Sequence, residues 1–218
     1  MEKNKIDFRS LPLFYGIEES AYRQFFSCLQ AEEKTYRKGE RILSPGDFSR
    51  RFGLVCSGAV QICREDPDGN QTLLSQLLPG NLFAEAFACA GRPLTVAAET
   101  SEQSVILWMN PEHLFSFGER SCPVHAQVAG NLLRILAQKN IFLTGRIQHL
   151  SCRSLREKVW SFLSEQALLA KSNTFTISFN RQQMADYLAA DRSALSAVLC
   201  RMQKEGSIRF QKNRFTLL

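Results

Sequence analysis

Residues 181–201 read RQQMADYLAADRSALSAVLCR, two short helical patterns separated by Ala189-Ala190-Asp191. Met184, Ala185 and Leu188 share one face of the first pattern, and Leu195, Val198 and Leu199 share one face of the second. Two such helices joined by a tight turn make a helix-turn-helix, with small Ala185 allowing a close crossing and Asp191 placed to cap the second helix through its free amides. The exposed face of that second helix then shows Arg192, Ser193, Ser196 and Arg201. Such a face suits a major groove, because Arg bonds guanine O6 and N7 in bidentate fashion and Ser accepts from or donates to several bases. We assign base reading to Arg192, Ser193 and Ser196, and phosphate neutralisation to Arg201, Lys204, Lys212 and Arg214. Lys212 and Arg214 lie on a second feature, GSIRF at 206–210 followed by KNRFTL at 212–217, which reads as a β-hairpin wing.

Any pair of short amphipathic helices gives this pattern, and a basic helix face is usually only solvated, so the surrounding chain has to decide. Charge is the first test. The 218 residues carry a net +6, with a pI of about 9.0. Residues 1–148 hold sixteen basic and sixteen acidic side chains, whereas residues 149–218 hold eleven and five, so the whole excess sits with the candidate helices. That is the electrostatic footprint of a nucleic-acid partner.

The second test lies upstream. From Pro123 to Leu150 the helical pattern is unbroken by proline, and Ala126, Ala129, Leu133, Leu136, Asn140, Leu143, Ile147 and Leu150 alternate spacings of three and four. This heptad period keeps one stripe against a partner helix, so Leu133, Leu136, Asn140, Leu143 and Ile147 are read as a parallel dimer seam. Asn140 falls at an a position, where one polar residue fixes register. Val128, Leu132, Ile135 and Phe142 form another stripe for the body of the protein; burial of the helix on two sides within a monomer is the alternative. After it, Ser154 is a plausible N-cap for a helix whose apolar face is Leu155, Val159, Phe162, Leu163, Leu168 and Leu169. Phe175–Phe179 alternates as a short edge strand.

Residues 39–109 read as short strands at Ile42–Leu43, Phe52–Cys56, Val60–Cys63, Thr72–Leu78, Val96–Ala98 and Val105–Met109, with a hairpin tip at Asp66-Pro67-Asp68-Gly69-Asn70. A sandwich or rolled antiparallel barrel fits, preceded by a helix over Glu18–Ala31 with Tyr22, Phe25, Phe26 and Leu29 on one face. The polar start MEKNKIDFRS and the absence of any long apolar run predict a cytoplasmic protein with no membrane contact. Seven cysteines without a Cys-x-x-Cys pair predict reduced thiols, and His113, His125 and His149 lack metal-ligand spacing, so no metal site is expected. With no nucleophile elbow, Walker loop or dinucleotide fingerprint, the chain does not read as an enzyme, and a cupin-like enzyme is disfavoured by the missing histidine cluster.

From Pro12-Leu13-Phe14 to the wing, the chain resembles the catabolite activator/FNR (Crp/Fnr) family of bacterial transcription regulators. The matching residues are Lys38-Gly39-Glu40, Pro45-Gly46-Asp47, Val55-Cys56-Ser57-Gly58, Leu78-Pro79-Gly80-Asn81-Leu82-Phe83, Ser154-Leu155-Arg156-Glu157-Lys158-Val159, Ala185-Asp186-Tyr187-Leu188 and Asp191-Arg192-Ser193-Ala194-Leu195-Ser196. The resemblance implies an α+β chain: a cyclic-nucleotide-binding-like β-roll sensing an effector (1–122), a long central dimerisation helix (123–150) and a winged helix-turn-helix (151–218). It further implies a homodimer on a two-fold promoter site in double-stranded DNA, with RNA polymerase a candidate partner. A small-molecule effector would sit near Glu85, Arg92, Thr95 and Asn140 and act across a hinge around His149–Arg153. The competing reading is a ligand-binding β-roll whose C-terminal domain contacts protein.

Departures from the family pattern bear on the effector. Cyclic-AMP-binding members carry Gly-Glu followed about ten residues later by Arg-Ser; here Ala84-Glu85 leads to Arg92-Pro93 after seven, and proline brings neither hydroxyl nor amide proton. This argues against cyclic AMP. Cys28, Cys56 and Cys63 lack the spacing of an iron–sulfur site, and a lone histidine or cysteine is a weak haem ligand, so no cofactor is expected and a redox signal through Cys28, Cys89 or Cys122 is left open. On the recognition helix, Arg192-Ser193 and Ala197 replace Arg-Glu-x-x-x-Arg, which predicts a half-site less fixed at one base pair.

Overall fold

The computed structural model describes residues 7–66, 71–115 and 123–218. The hairpin tip expected at 66–70 therefore lies outside the described residues from Pro67 onward, as does Cys122. The chain divides into two compact units between Leu136 and Ala137, within a long helix.

The first unit opens with two short turns of 3₁₀ helix and helix α1 (Glu19–Cys28), then strands β1 (Glu32–Tyr36), β2 (Arg41–Leu43), β3 (Phe52–Ser57), β4 (Val60–Glu65), β5 (Gln71–Leu77) and β6 (Leu82–Phe83). Helix α2 (Glu85–Ala90), strands β7 (Ala97–Thr100) and β8 (Ser104–Met109), helix α3 (Glu112–Phe115) and the first half of α4 (Pro123–Leu150) complete it. Two antiparallel four-stranded sheets, ordered β1-β8-β3-β6 and β2-β7-β4-β5, form the β-roll.

The alternation of β3 explains how the roll is built. Phe52, Leu54 and Cys56 face a core shared with Phe14, Phe25, Val128 and Leu132, whereas Val55 faces a second core with Val60, Phe83, Ile106 and Trp108. Both faces are thus covered, which is why the strand reads as continuous apolar sequence. Gly53 permits this closeness, since a Cβ there would stand 2.4 Å from the Phe83 ring. The α4 residue Asn131 is buried and donates to the carbonyls of Leu13 (3.0 Å) and Tyr15 (2.8 Å), satisfying the N-terminal turns.

In the second unit, the rest of α4 is followed by α5 (Leu155–Ala170), β9 (Thr174–Thr176), α6 (Arg181–Tyr187), α7 (Arg192–Lys204), β10 (Ile208–Gln211) and β11 (Arg214–Leu217). The sheet order β10-β11-β9 makes a hairpin wing backed by one edge strand. Its core gathers Val159, Leu163, Met184, Ala185, Leu195, Leu199, Met202 and Phe215. One expectation for α5 needs correction: Leu168 and Leu169 are 77% and 71% exposed, and Ala167 is buried instead. Ala167 lies four residues after Leu163 and continues the helical period, whereas the two leucines fall beside it. Gly145 on α4 packs against α5, where an added Cβ would meet Glu165 Oε1 at 3.0 Å.

Candidate nucleic-acid interface

The recognition helix is set by bonds that the sequence encodes locally. Asp191 is extended (φ −69°, ψ 139°) and its Oδ1 accepts from the amides of Ser193 (2.8 Å) and Ala194 (3.0 Å) and from the Ser193 hydroxyl. These bonds, the hydroxyl's first, hold the Asp191 carboxyl below the usual carboxylate range. Asn180 caps α6 in the same way, accepting from Gln183 N at 2.9 Å while its own amide donates to Gln183 Oε1 at 2.8 Å, a full capping box. Between the helices Ala189 takes φ +49°, the left-handed turn that glycine would occupy without strain.

This backbone leaves Arg192 and Ser193 exposed and Ser196 half-buried on α7, with Arg201 and Lys204 exposed at its far end. Ser196 Oγ donates to the Arg192 carbonyl at 2.9 Å. Lys212 and Arg214 are exposed on the wing, Lys212 at its two-residue tip with φ +52°. All seven side chains assigned to DNA thus belong to one helix and one hairpin of the same unit.

Three residues that sequence reasoning missed brace this arrangement. The Arg181 guanidinium lies over the rings of Phe210 (5.2 Å) and Phe215 (5.6 Å) and donates to the Lys212 carbonyl at 3.2 Å, tying α6 to the wing. Burial lowers its pKa, yet a guanidinium stays charged. Arg146 of α4 donates to the carbonyls of Tyr187 and Asp186, both at 3.0 Å, at the end of α6. His149, 2% exposed, places Nδ1 2.9 Å from Ser161 Oγ and Nε2 2.9 Å from Glu165 Oε2 of α5. No local pattern in the sequence announces these partners, because each lies 12 to 41 residues away.

The residues assigned to an effector are distributed between the units. Glu85 is buried at the start of α2, behind Ala84 at φ +60°; Arg92 and Thr95 are exposed in the segment that follows. Asn140 is exposed and belongs to the second unit. The backbone at 92–94 has little to offer an anion: Arg92 N donates to Phe87 O (3.1 Å), Leu94 N donates to Asp47 O (2.9 Å), and Pro93 has no N–H. Both amides of this segment are thus engaged by backbone carbonyls. Cys89 is exposed, but its surroundings desolvate the thiol and raise its pKa, as burial does at Cys56 (to about 11) and Cys63. Among the described residues, no group of three His, Cys, Asp or Glu side chains converges to hold a metal, and no helix is long and apolar enough to cross a membrane.

Comparison with known proteins finds one family match in each unit. Residues 33–121 match the family described as Cyclic nucleotide-binding domain, and residues 157–218 match the Crp-like helix-turn-helix domain. Transcriptional regulator LdrP of Thermus thermophilus is 26% identical over 186 residues, covering 85% of this chain and 91% of that protein. The Cyclic AMP receptor protein of the same species is 26% identical over 198 residues (91% of this chain, 88% of that protein). The nitrogen fixation regulation protein FixK of Azorhizobium caulinodans is 25% identical over 193 residues, with coverages of 84% and 73%. In fold, the chain resembles the crystal structure of the T. thermophilus catabolite activator protein (TM-score 0.50, 22% identity, 95% of this chain and 93% of that one). It also resembles CprK complexed with OCPA (TM-score 0.62, 13% identity, 92% and 89%). A β-roll joined through a long helix to a winged helix-turn-helix defines a DNA-binding transcription regulator, not an enzyme. The chain belongs to the Crp/Fnr family.

Proposed function

We propose that the protein acts as a cytoplasmic homodimer that binds a two-fold DNA site under control of an effector or redox signal received at the β-roll, the effector being other than cyclic AMP. The seam supports the dimer: Leu133, Leu143 and Ile147 are 69%, 54% and 64% exposed in the single chain, although their spacing is that of a helix pair, whereas Leu136 of the same stripe packs half-buried against the core of the first unit. Apolar side chains in such a stripe mark a surface that another helix covers. Two copies paired along it would present two α7 helices, as a palindromic site requires. The amides committed at 92–94 support a ligand other than a cyclic nucleotide.

In this reading Arg192, Ser193 and Ser196 meet bases, and Arg201, Lys204, Lys212 and Arg214 meet phosphates. Glu85, Arg92 and Thr95 of the first unit mark the region where the effector acts. Ligand binding shifts an equilibrium between DNA-competent and incompetent pairs. The test is a Leu143→Glu/Ile147→Glu double variant: sedimentation is expected to give a folded monomer and footprinting to lose the two-fold site. Wild-type affinity should fall steeply as salt rises, and cyclic AMP should leave it unchanged. A wild-type protein that is monomeric with and without operator DNA overturns the dimer. Salt-insensitive association overturns the phosphate contacts, and a cyclic-AMP response overturns the choice of effector.

A further inference from the structure

A serine hydroxyl has one proton to give and two lone pairs with which to accept. On α7 both serines facing the proposed groove have already committed that proton. The Ser193 hydroxyl donates to the Asp191 carboxylate, which also holds the amides of Ser193 and Ala194. The Ser196 hydroxyl donates to the Arg192 carbonyl at 2.9 Å. Positions i and i+3 share one helix face, so the two oxygens lie along the same side of α7 with only lone pairs on offer.

We propose that Ser193 and Ser196 form an acceptor-only strip that selects adenine or cytosine over guanine or thymine at the strand positions they meet. The inference rests on the base-reading role given above to α7. In the major groove, adenine N6 and cytosine N4 donate, while guanine O6 and N7 and thymine O4 accept. For Ser193 to approach guanine or thymine, its proton must leave a carboxylate, and a bond to an ionised partner is roughly twice as strong as a neutral one. The cap that starts the helix therefore also fixes the polarity of its reading. A free serine would tolerate all four bases; a serine tied to Asp191 does not.

The experiment selects binding sites from randomised duplexes for wild type, Ser193→Ala and Asp191→Gly, then repeats binding with amine-less bases in the selected half-site. Purine replaces adenine, or 2-pyrimidinone replaces cytosine. For wild type, adenine or cytosine should dominate at the Ser193 position, and removing the amine should weaken binding about 5-fold, the weight of one neutral hydrogen bond. Ser193→Ala should bind amine-bearing and amine-less sites equally. Asp191→Gly frees the hydroxyl while glycine still serves as an N-cap, so this variant should admit guanine and thymine at that position. A thermal melt confirms that both variants fold. A wild-type preference for guanine or thymine there, or no response to amine removal, overturns the proposal. If Arg192→Ala weakens binding but Ser193→Ala changes no base preference, this inference alone fails; if no duplex binds at all, the base-reading role of α7 fails with it.

Discussion

The two units begin their helices in different ways. In the second, Ser154, Asn180 and Asp191 each close a helix N-terminus with a side-chain oxygen, and the first two complete reciprocal capping boxes. In the first, α1 starts after Glu18 and α2 after Ala84, neither with a side-chain cap bond, and among the described residues such bonds appear only at short helical turns, from Arg9 N to Asp7 and from Glu112 N to Asn110 at the start of α3. The first unit has two four-stranded sheets and cores on both faces of β3 to locate its helices. The second has only three short strands, so its helix starts are written into the local sequence. The starts of α5, α6 and α7 are thus fixed by side-chain bonds that span three residues.

Core substitutions test this contrast most severely. Leu163→Ala, at a fully buried site, should destabilise the second unit by about 2–5 kcal/mol in a denaturant melt, whereas Leu168→Ala should stay within about 0.5 kcal/mol. Next comes the interface: Arg192→Ala should weaken the selected site about 10- to 100-fold, while Arg214→Ala should weaken all duplexes alike and reduce the salt slope by about 1. Removing a cap should matter only where a side-chain bond closes the helix start. Ser154→Ala or Asn180→Ala should cost about 1 kcal/mol, and Glu18→Ala less than about 0.5 kcal/mol.

The same caps give the second unit an acid limb. The Ser154 amide and hydroxyl hold the Glu157 carboxyl below the usual range, as Ser193 and Ala194 do for Asp191. A carboxyl whose folded pKa is depressed adds stability above its unfolded value and loses it as pH falls through the folded one. Acid melts of the second unit should therefore decline below the ordinary carboxylate range, and Glu157→Gln should flatten that decline. The smallest effect belongs to the two left-handed alanines: Ala84→Gly and Ala189→Gly should each raise the melting point, by roughly 0.5 kcal/mol in stability. If only one does, the strain is specific to that unit.

Legibility follows the same division. The helix-turn-helix, its Asp191 cap, the Ser154 cap and the wing were all visible in the sequence, because each is a local pattern with a known period or bond. Strand β1 was not: its EEKTY leaves only Tyr36 buried, and its place is fixed by pairing with β8 some seventy residues later. Arg181, Arg146 and His149 were invisible for the same reason, since their partners arrive from distant segments. Leu168 and Leu169 were over-read because hydrophobicity alone does not say which of three neighbouring residues meets the core. Ser193 stood out in the sequence as an exposed polar position on α7, but the direction of its hydrogen bond needed the carboxylate beside it.

The contacts of Arg146 and His149 have a mechanical meaning. The last turns of α4 are riveted to α6 by two guanidinium bonds and to α5 by an imidazole wedged between a hydroxyl and a carboxylate. The bend at 151–153 is thus a welded elbow, and residues 137–150 serve as the shaft of the tool that carries Arg192. A torque applied to that shaft would reach α5 and α6 through these side-chain bonds as well as through the chain.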